Sequence, residues 1–275
     1  MCSVLDVSRS GYYKWLSEKG NPNSYQQRRM ALVARITWLF HNSINRYGSP
    51  KITFLLCKEG WKVSERLVSK LMKENGLRSC VSKKFGENTT DSNHDQPIAP
   101  NLLNQNFQTT APNKVWVTDI TYIPCREGRM YLASVLDLYT RKIVGWKLAD
   151  RMTRELVLAA LDHAYEAQQP KKGLIHHSDR GSQYASEDYR ERLKKYKMKA
   201  SMSRKGNCYD NACIESFHSV LKKEFIYCTK FKTKAQAQQE MFEYIELFYN
   251  RKRIHSSLGY LSPNQFELKF YKKVS

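Results

Sequence analysis

The chain has 275 residues, with 46 Lys and Arg against 26 Asp and Glu, a formal charge of +20 and a pI near 9.6. That length has room for two or three small domains, and so large a positive excess selects polyanion partners. No apolar run approaches the roughly 20 residues of a spanning helix and no signal peptide opens the chain, so nucleic acid is a better expectation than a membrane surface.

Met1–Lys19 reads as a short helix over VLDV, a turn at Ser8–Gly11, and a second helix from Gly11 or Tyr12. It is either the remnant of a helix-turn-helix or a helical arm on the next domain. Ser24 and Gln27 form a capping-box pattern ahead of a helix whose inner face is Leu32, Val33, Ile36, Leu39 and Phe40. Ser49-Pro50 reads as cap and first position of a helix over Lys51–Glu59, stopped by Gly60. Ser64 caps a third helix, Glu65–Asn75, stopped by Gly76. Leu67, Val68, Leu71 and Met72 face inward on it, and Arg66, Lys70 and Lys73 lie opposite. Two short helices with a tight turn, the second bearing a basic stripe, make a helix-turn-helix-like reader of DNA. Residues 1–84 hold 16 Lys and Arg against five Asp and Glu, which suits phosphate contact. A three-helix bundle with a solvated basic face is the plainer alternative.

From Gly86 to Asn113 there is no Lys or Arg, and there are six Asn and three Pro. Residues 85–113 therefore read as an extended linker, with Leu102, Leu103 and Phe107 as possible pins. Three strands follow, Lys114–Pro124, Met130–Leu138 and Lys142–Leu148, joined by turns at Glu127-Gly128 and Thr140-Arg141. Thr153 caps a helix to about Gln168, and Leu174–Ser178 is a buried strand. Ser186–Tyr196 is a polar helix, Lys199–Ser203 a fifth strand and Arg204–Tyr209 a loop. A last long helix, Thr233–Arg253, has Phe242, Ile245, Phe248 and Tyr249 as its apolar face and a basic C-terminal end. An aromatic tail, His255–Phe270, packs back on the core. The expected domains are 1–84, a linker 85–113, a catalytic core 114–228, and a C-terminal helix and tail 229–275.

Asn207–Glu224 reads as a helix start, with Asp210 as N-cap, and then a helix with Ile214, Phe217, Leu221 and Phe225 on one stripe. Asn211, Glu215, Ser219 and Lys222 form a second stripe. Asp119 sits among Val, Trp, Ile and Tyr in a strand, where a carboxylate is costly unless paired or bound to a cation. Asp179 ends a buried strand ahead of a Gly turn. The gaps between the three carboxylates are 59 and 35 residues. Two strand Asp and one helix Glu make a hard-oxygen site suited to Mg²⁺ or Mn²⁺. Two such ions would activate the nucleophile, neutralise the scissile phosphate and stabilise the leaving oxygen of a phosphodiester. Seven scattered cysteines without a CxxC pair read as reduced thiols. Cys208, Cys213 and His218 are wrongly spaced for zinc, and His176 and His177 read as packed rather than ligating.

The segments WVTDITYI, HHSDRGSQY and DNACIESFHSVLKKE resemble the Asp–Asp–Glu signature of the integrase superfamily, and within it the orfB-type transposases of the insertion-sequence-three family. The 35-residue gap and a basic residue seven positions after the Glu, here Lys222, belong to that pattern. The resemblance runs from CSVLDVSRSGYYKW to HSSLGYLSPNQFE. It implies an α/β fold, a ribonuclease-H-like integrase catalytic core preceded by a small all-α helix-turn-helix-like domain and a linker, with Asp119 and Asp179 on neighbouring strands. It implies two metal ions per site, Asp119 bridging both and Asp179 and Glu215 holding one each. Lys222 would touch DNA near the cleaved end, Asn211 and Gln183 would orient phosphate or terminal bases, and Arg66, Lys70 and Lys73 would hold the duplex.

The implied reaction is cleavage at the ends of a bacterial mobile element, then strand transfer by the freed 3′-OH. The implied partners are double-stranded DNA (terminal inverted repeats and target), further copies of the chain on paired ends, and an upstream-frame orfA product as partner or fusion. The setting is the bacterial cytoplasm, at the nucleoid. Two other readings compete: a ribonuclease-H-type nuclease, which cuts but does not join, and a non-catalytic DNA-binding regulator of transposition.

Overall fold

The computed structural model describes residues 6–18, 22–82 and 96–274, and the chain divides into two compact units, Met1–Cys80 and Val81–Ser275.

The first unit is helical. α1 (Arg9–Glu18) starts earlier than its sequence suggests, because Ser8 Oγ accepts the Gly11 N–H at 3.0 Å and turns the expected loop into a cap. Of the expected VLDV helix, Val4 and Leu5 lie outside the described residues, and Asp6 and Val7 are not helical. The capping box of α2 (Ser24–Asn42) is shifted by one residue from Ser24/Gln27. Asn23 Oδ1 accepts from Gln26 N at 2.8 Å and Gln26 Oε1 from Asn23 N at 2.9 Å, since Asn caps as well as Ser does. α3 (Ser49–Lys58) is capped by Gly48, not Ser49; the Ser49 hydroxyl lies 3.4 Å from Glu65 Oε1 instead. α4 (Glu65–Glu74) begins as expected, with Ser64 Oγ accepting from Leu67 N at 3.3 Å. Leu32, Ile36, Leu39 and Phe40 of α2 meet Ile52 and Leu56 of α3 and Val68, Leu71 and Met72 of α4 in a buried core. Arg35 clamps Glu59 through two hydrogen bonds of 2.8 and 2.6 Å.

The second unit is built on a five-stranded sheet of order β3-β2-β1-β4-β5. β1 (Val115–Ile123), β2 (Met130–Asp137) and β3 (Ile143–Ala149) are antiparallel, and β4 (Ile175–Ser178) and β5 (Lys199–Met202) continue parallel to β1. α5 (Arg154–Gln168) lies on one face through Leu156, Val157, Ala160, Leu161 and Ala164. Its approach depends on Gly145 in β3: a Cβ there would stand 2.4 Å from the Ala160 carbonyl and 2.5 Å from Ala164 Cβ. The polar helix appears as α7 (Glu187–Lys195), preceded by a short unexpected turn, α6 (Ser182–Ala185). Tyr165 of α5 stacks on Tyr196 at 3.7 Å between centroids.

α8 (Ala212–Glu224) follows a 3₁₀ turn, Cys208–Asn211, and buries Ile214, Phe217, Leu221 and the following Phe225, the stripe read from spacing. The last long helix is not one α-helix to Arg253. α9 (Lys234–Phe242) passes into a π-helix over Glu243–Tyr249. The wider turn rotates the face, so Phe242 is half exposed and Tyr244 is buried with Ile245, Phe248 and Tyr249. Asn250 then pairs both ways with Ile143 at 3.0 and 2.9 Å and so covers the β3 edge. Arg253 does not sit on a helix terminus as expected but turns inward to Glu224. The tail forms α10 (Pro263–Val274); Tyr139 packs on its Phe266 and Phe270, and Lys142 pairs with its Glu267 at 2.7 Å.

Residues 96–113 are extended but docked on this second unit. Leu103 is buried and Leu102 is exposed; Leu102 is anchored by its backbone N–H, donated to Ser201 Oγ at 2.9 Å. Asn113 N donates to Asp137 at 2.7 Å.

Candidate active site

β1 and β4 pair in parallel with Val115 opposite Ile175, Trp116 opposite His176 and Val117 opposite His177. Asp119 and Asp179 follow that last pair by two residues on their respective chains. Asp119 Oδ1 accepts the Ile120 N–H at 2.8 Å, and its Oδ2 lies 3.3 Å from His218 Nδ1. Asp179 Oδ1 accepts the Gly181 N–H at 3.0 Å. Tyr184 feels both charges: burial first, then Tyr189 and the two carboxylates, hold its phenol well above the usual range, while its hydroxyl lies 3.3 Å from Thr118 Oγ1.

Glu215 is on the first turn of α8, and Asn211 Nδ2 fastens the start of that helix to the Thr118 carbonyl of β1 at 3.4 Å. Although the residue is exposed overall, desolvation of its carboxyl raises the pKa, and the negative charge of Asp119 raises it further. Asp119 and Glu215 are therefore within electrostatic reach of each other.

Among the described residues no three His, Cys, Asp or Glu side chains are gathered into a ready metal cage. The donor set still fits a hard divalent cation: three carboxylates, at least two of which repel, with no soft ligand among them. Asn211 supports the same reading. It is buried, and its Oδ1 has no hydrogen-bond partner, an expensive arrangement for an acceptor that nothing else meets.

Gln183 stands beside Asp179: a Cβ on Gly181 would meet Asp179 Oδ1 and Gln183 Oε1, each at 3.1 Å. Its amide nitrogen donates to the Met152 carbonyl at 3.2 Å. Lys222, two turns along α8 from Glu215, holds its ammonium 4.6 Å from the centre of the Tyr122 ring. Arg66, Lys70 and Lys73 are exposed along α4 of the first unit, with Lys70 4.0 Å from Glu74.

Asp210 is not the helix cap. It is fully buried and accepts from Arg204 N, Nε and Nη2 at 2.8, 3.0 and 2.7 Å, from Asn101 Nδ2 at 2.9 Å and from Gln105 Nε2 at 2.8 Å. A carboxylate with that many donors is more use as an anchor than as a cap; Arg204 above all holds it far below the usual carboxylate range. His176 and His177 are packed, as expected. His176 meets the Tyr189 hydroxyl at 3.1 Å, and His177 meets Ser201 and Ser203 at 2.8 and 3.2 Å. Burial, with the neighbouring His177, pushes His176 down to about 3.

Sequence reasoning missed His218, weighed only as a zinc ligand, together with Ser134 and the anchoring role of Asp210. The available signal for His218 was its place three residues after Glu215, on the same side of the helix.

Residues 109–208 match the family described as "Integrase core domain", residues 215–270 match a second integrase core domain family, and residues 27–85 match an "HTH-like domain". The chain is 45% identical over its whole length to the "Insertion element IS600 uncharacterized 31 kDa protein" of Shigella sonnei, covering all of both chains. It is 41% identical to "Transposase InsF for insertion sequence IS3A" of Escherichia coli (strain K12), over 98% of this chain and 93% of that one. It is 44% identical to "Transposase for insertion sequence element IS904" of Lactococcus lactis, over 90% of this chain and 97% of the relative. The chain, with its integrase core and its helical front unit, therefore belongs to the insertion-sequence transposases of the IS3 family.

Proposed function

We propose that Asp119, Asp179 and Glu215 are the catalytic carboxylates of this transposase, and that they cut the ends of its element and join them to target DNA. The observation that carries the reading is the β1–β4 register, which pairs Val117 with His177, two residues before Asp119 and Asp179 on their respective chains, together with the Asp119 charge acting on the Glu215 carboxyl. Two divalent ions, Mg²⁺ or Mn²⁺, supply at such a site an activated oxygen nucleophile, a neutralised phosphate and a stabilised leaving oxygen.

The protein's part is to hold and orient. Asp119, whose Oδ1 accepts the Ile120 N–H and whose Oδ2 lies beside the His218 ring, would be a ligand of both ions. Asp179 and Glu215 would supply the remaining carboxylate ligands. Lys222 neutralises DNA near the cleaved end, and Asn211 Oδ1 and the Gln183 amide orient the terminal nucleotide. In strand transfer the freed 3′-oxygen attacks a target phosphorus as a target 3′-oxygen leaves, so one phosphodiester replaces another and no external energy is needed.

Residues 1–84 read terminal-repeat DNA through Arg66, Lys70 and Lys73. Residues 114–228 form the catalytic core, residues 85–113 link the two, and 229–275 brace the core. Because an element has two ends, further copies of the chain assemble on the paired ends, with an upstream-frame product as partner or fusion.

The test is a terminal-repeat duplex incubated with protein, target plasmid and Mg²⁺. Asp119→Asn, Asp179→Asn and Glu215→Gln should each abolish nicking and joining while retaining duplex binding in a gel shift. Joining at near wild-type rate by any one of them overturns the assignment. Nicking without any joined product from the wild-type chain points to a nuclease instead.

A further inference from the structure

We infer that His218 is a positioning residue for the Asp119 carboxylate and, through Ser134, locks the helix that carries Glu215 to the strands that carry Asp119. The inference rests on the carboxylate reading above. His218 is buried on α8, and its imidazole is engaged at both ends. Nδ1 lies 3.3 Å from Asp119 Oδ2, and Nε2 lies 2.7 Å from Ser134 Oγ. A carboxylate offers only acceptors, so Nδ1–H donates; in the neutral ring the Ser134 hydroxyl then donates to Nε2. Ser134 is fully buried and is the β2 residue directly opposite Asp119 in the β1–β2 ladder. The three groups therefore close a loop: strand neighbours joined through the backbone are joined again through a helix side chain.

That loop does two things. It restrains the rotation of the Asp119 carboxylate, since Oδ1 is held by Ile120 N at 2.8 Å while Oδ2 lies 3.3 Å from the His218 ring. It also sets the height of α8 along β1, because His218 follows Glu215 by three residues, about one helical turn. Freeing His218 would let Glu215 drift relative to the Asp pair without unfolding the core. His177 is also buried with both nitrogens hydrogen-bonded, but to two serines; what sets His218 apart is that its Nδ1 faces a carboxylate.

The chemistry distinguishes two substitutions. Asn places its amide nitrogen where Nδ1 stands, and Gln reaches where Nε2 stands. His218→Asn keeps the bond to Asp119 and loses Ser134; His218→Gln keeps Ser134 and loses Asp119. The experiment titrates Mn²⁺ into the full chain without DNA, reading free Mn²⁺ by electron paramagnetic resonance, with thermal melts to confirm folding. Asp119→Asn serves as the reference loss. Hydrogen bonds that orient metal ligands typically carry 10- to 100-fold in metal affinity. His218→Ala and His218→Gln should therefore weaken Mn²⁺ by roughly that factor, and His218→Asn should stay within about threefold of wild type. Where His218→Ala fails to fold, Ser134→Ala, which frees only the far end of the ring, should weaken Mn²⁺ less than His218→Gln does. Mn²⁺ affinity that survives in His218→Gln but is lost in Asp119→Asn overturns this inference alone. Affinity that survives in Asp119→Asn overturns the carboxylate reading and this inference with it.

Discussion

Arg253 reaches back from beyond the π-helix to grip Glu224, the last residue of α8, with Nε to Oε2 and Nη2 to Oε1 both at 2.7 Å. Both side chains are almost wholly buried, and the Tyr244 hydroxyl adds a third donor to Glu224 at 3.3 Å. The C-terminal segment is thereby bolted to the helix that presents Glu215. Removing one partner leaves a buried charge, so Arg253→Met should cost about 3–5 kcal/mol in urea unfolding. Replacing both, Arg253→Met with Glu224→Leu, should cost much less than the sum of the single changes. Additive losses in that cycle would mean that the pair is not coupled.

Asp210 joins three parts of the second unit: the docked segment at Asn101 and Gln105, the loop at Arg204, and the approach to α8. Asp210→Ala strips the acceptor from all of them at once, and a hydrogen bond to a charged group contributes about 1.5–3 kcal/mol net of exchange with water. Hydrogen exchange should quicken in residues 101–106 and 204–211 while the β1–β2 ladder stays protected. Strand transfer should fall by at least about tenfold, about 1.4 kcal/mol of barrier, with duplex affinity unchanged. Uniform loss of protection across the sheet would show a folding defect rather than a loosened loop.

His176 gives the core a pH dependence whose sign follows from its burial. Its folded pKa is pushed from 6.5 down to about 3, so between those values the unfolded chain binds a proton that the native one refuses. Stability contributed by the neutral ring is complete above pH 6.5 and falls as pH drops, by up to about 1.4 kcal/mol per unit, until the folded pKa is reached. His176→Gln keeps an acceptor for the Tyr189 hydroxyl and removes the titration. Urea midpoints at pH 7 and pH 5 should then differ less in the variant than in the wild type. An equal difference would assign the dependence to other groups.

The five strands were legible in the sequence because apolar periodicity marks them, whereas the adjacency of β1 and β4 followed only from the family resemblance. Caps were misread where two neighbours were both good candidates: Asn23 won over Ser24, and Gly48 over Ser49, because the competing side chain was bonded elsewhere or set one residue late. The π-helix was invisible, since one extra residue per turn leaves no mark in a spacing pattern that is otherwise helical. Arg253 and Asp210 were misassigned for one reason. A charge near a helix end predicts a cap or a dipole partner locally, and only the fold reveals that Glu224, Arg204 and residues 101–105 are closer.

Gly145 lies where α5 meets β3, and the small Ala160 and Ala164 opposite it set the separation of helix and sheet. Gly145→Ala would press a methyl to 2.4 Å from a backbone carbonyl, which no side-chain rotation relieves. The expected cost is about 1–3 kcal/mol or more in thermal or urea unfolding. A neutral result would mean that α5 shifts away without loss of packing.

The basic stripe of α4 offers the sharpest test of DNA contact. Arg66, Lys70 and Lys73 are exposed, so replacing all three with Ala should alter stability by no more than about 0.5 kcal/mol per site. Each phosphate neutralised by a cation contributes about 0.9 to the slope of log affinity against log salt. If all three touch phosphate, the slope should shrink by roughly 2.7; Lys70 contributes least if it stays with Glu74, 4.0 Å away. The chain's +20 charge would by itself weaken binding when three cations are lost, so a matched control is required. Lys171, Lys172 and Lys195, exposed on the second unit, remove the same charge from elsewhere. A slope that falls only in the α4 variant assigns the phosphates to that stripe. Equal falls in both would reduce it to a solvated face whose effect is the net charge alone, and the reading of α4 as the DNA-facing helix would fail.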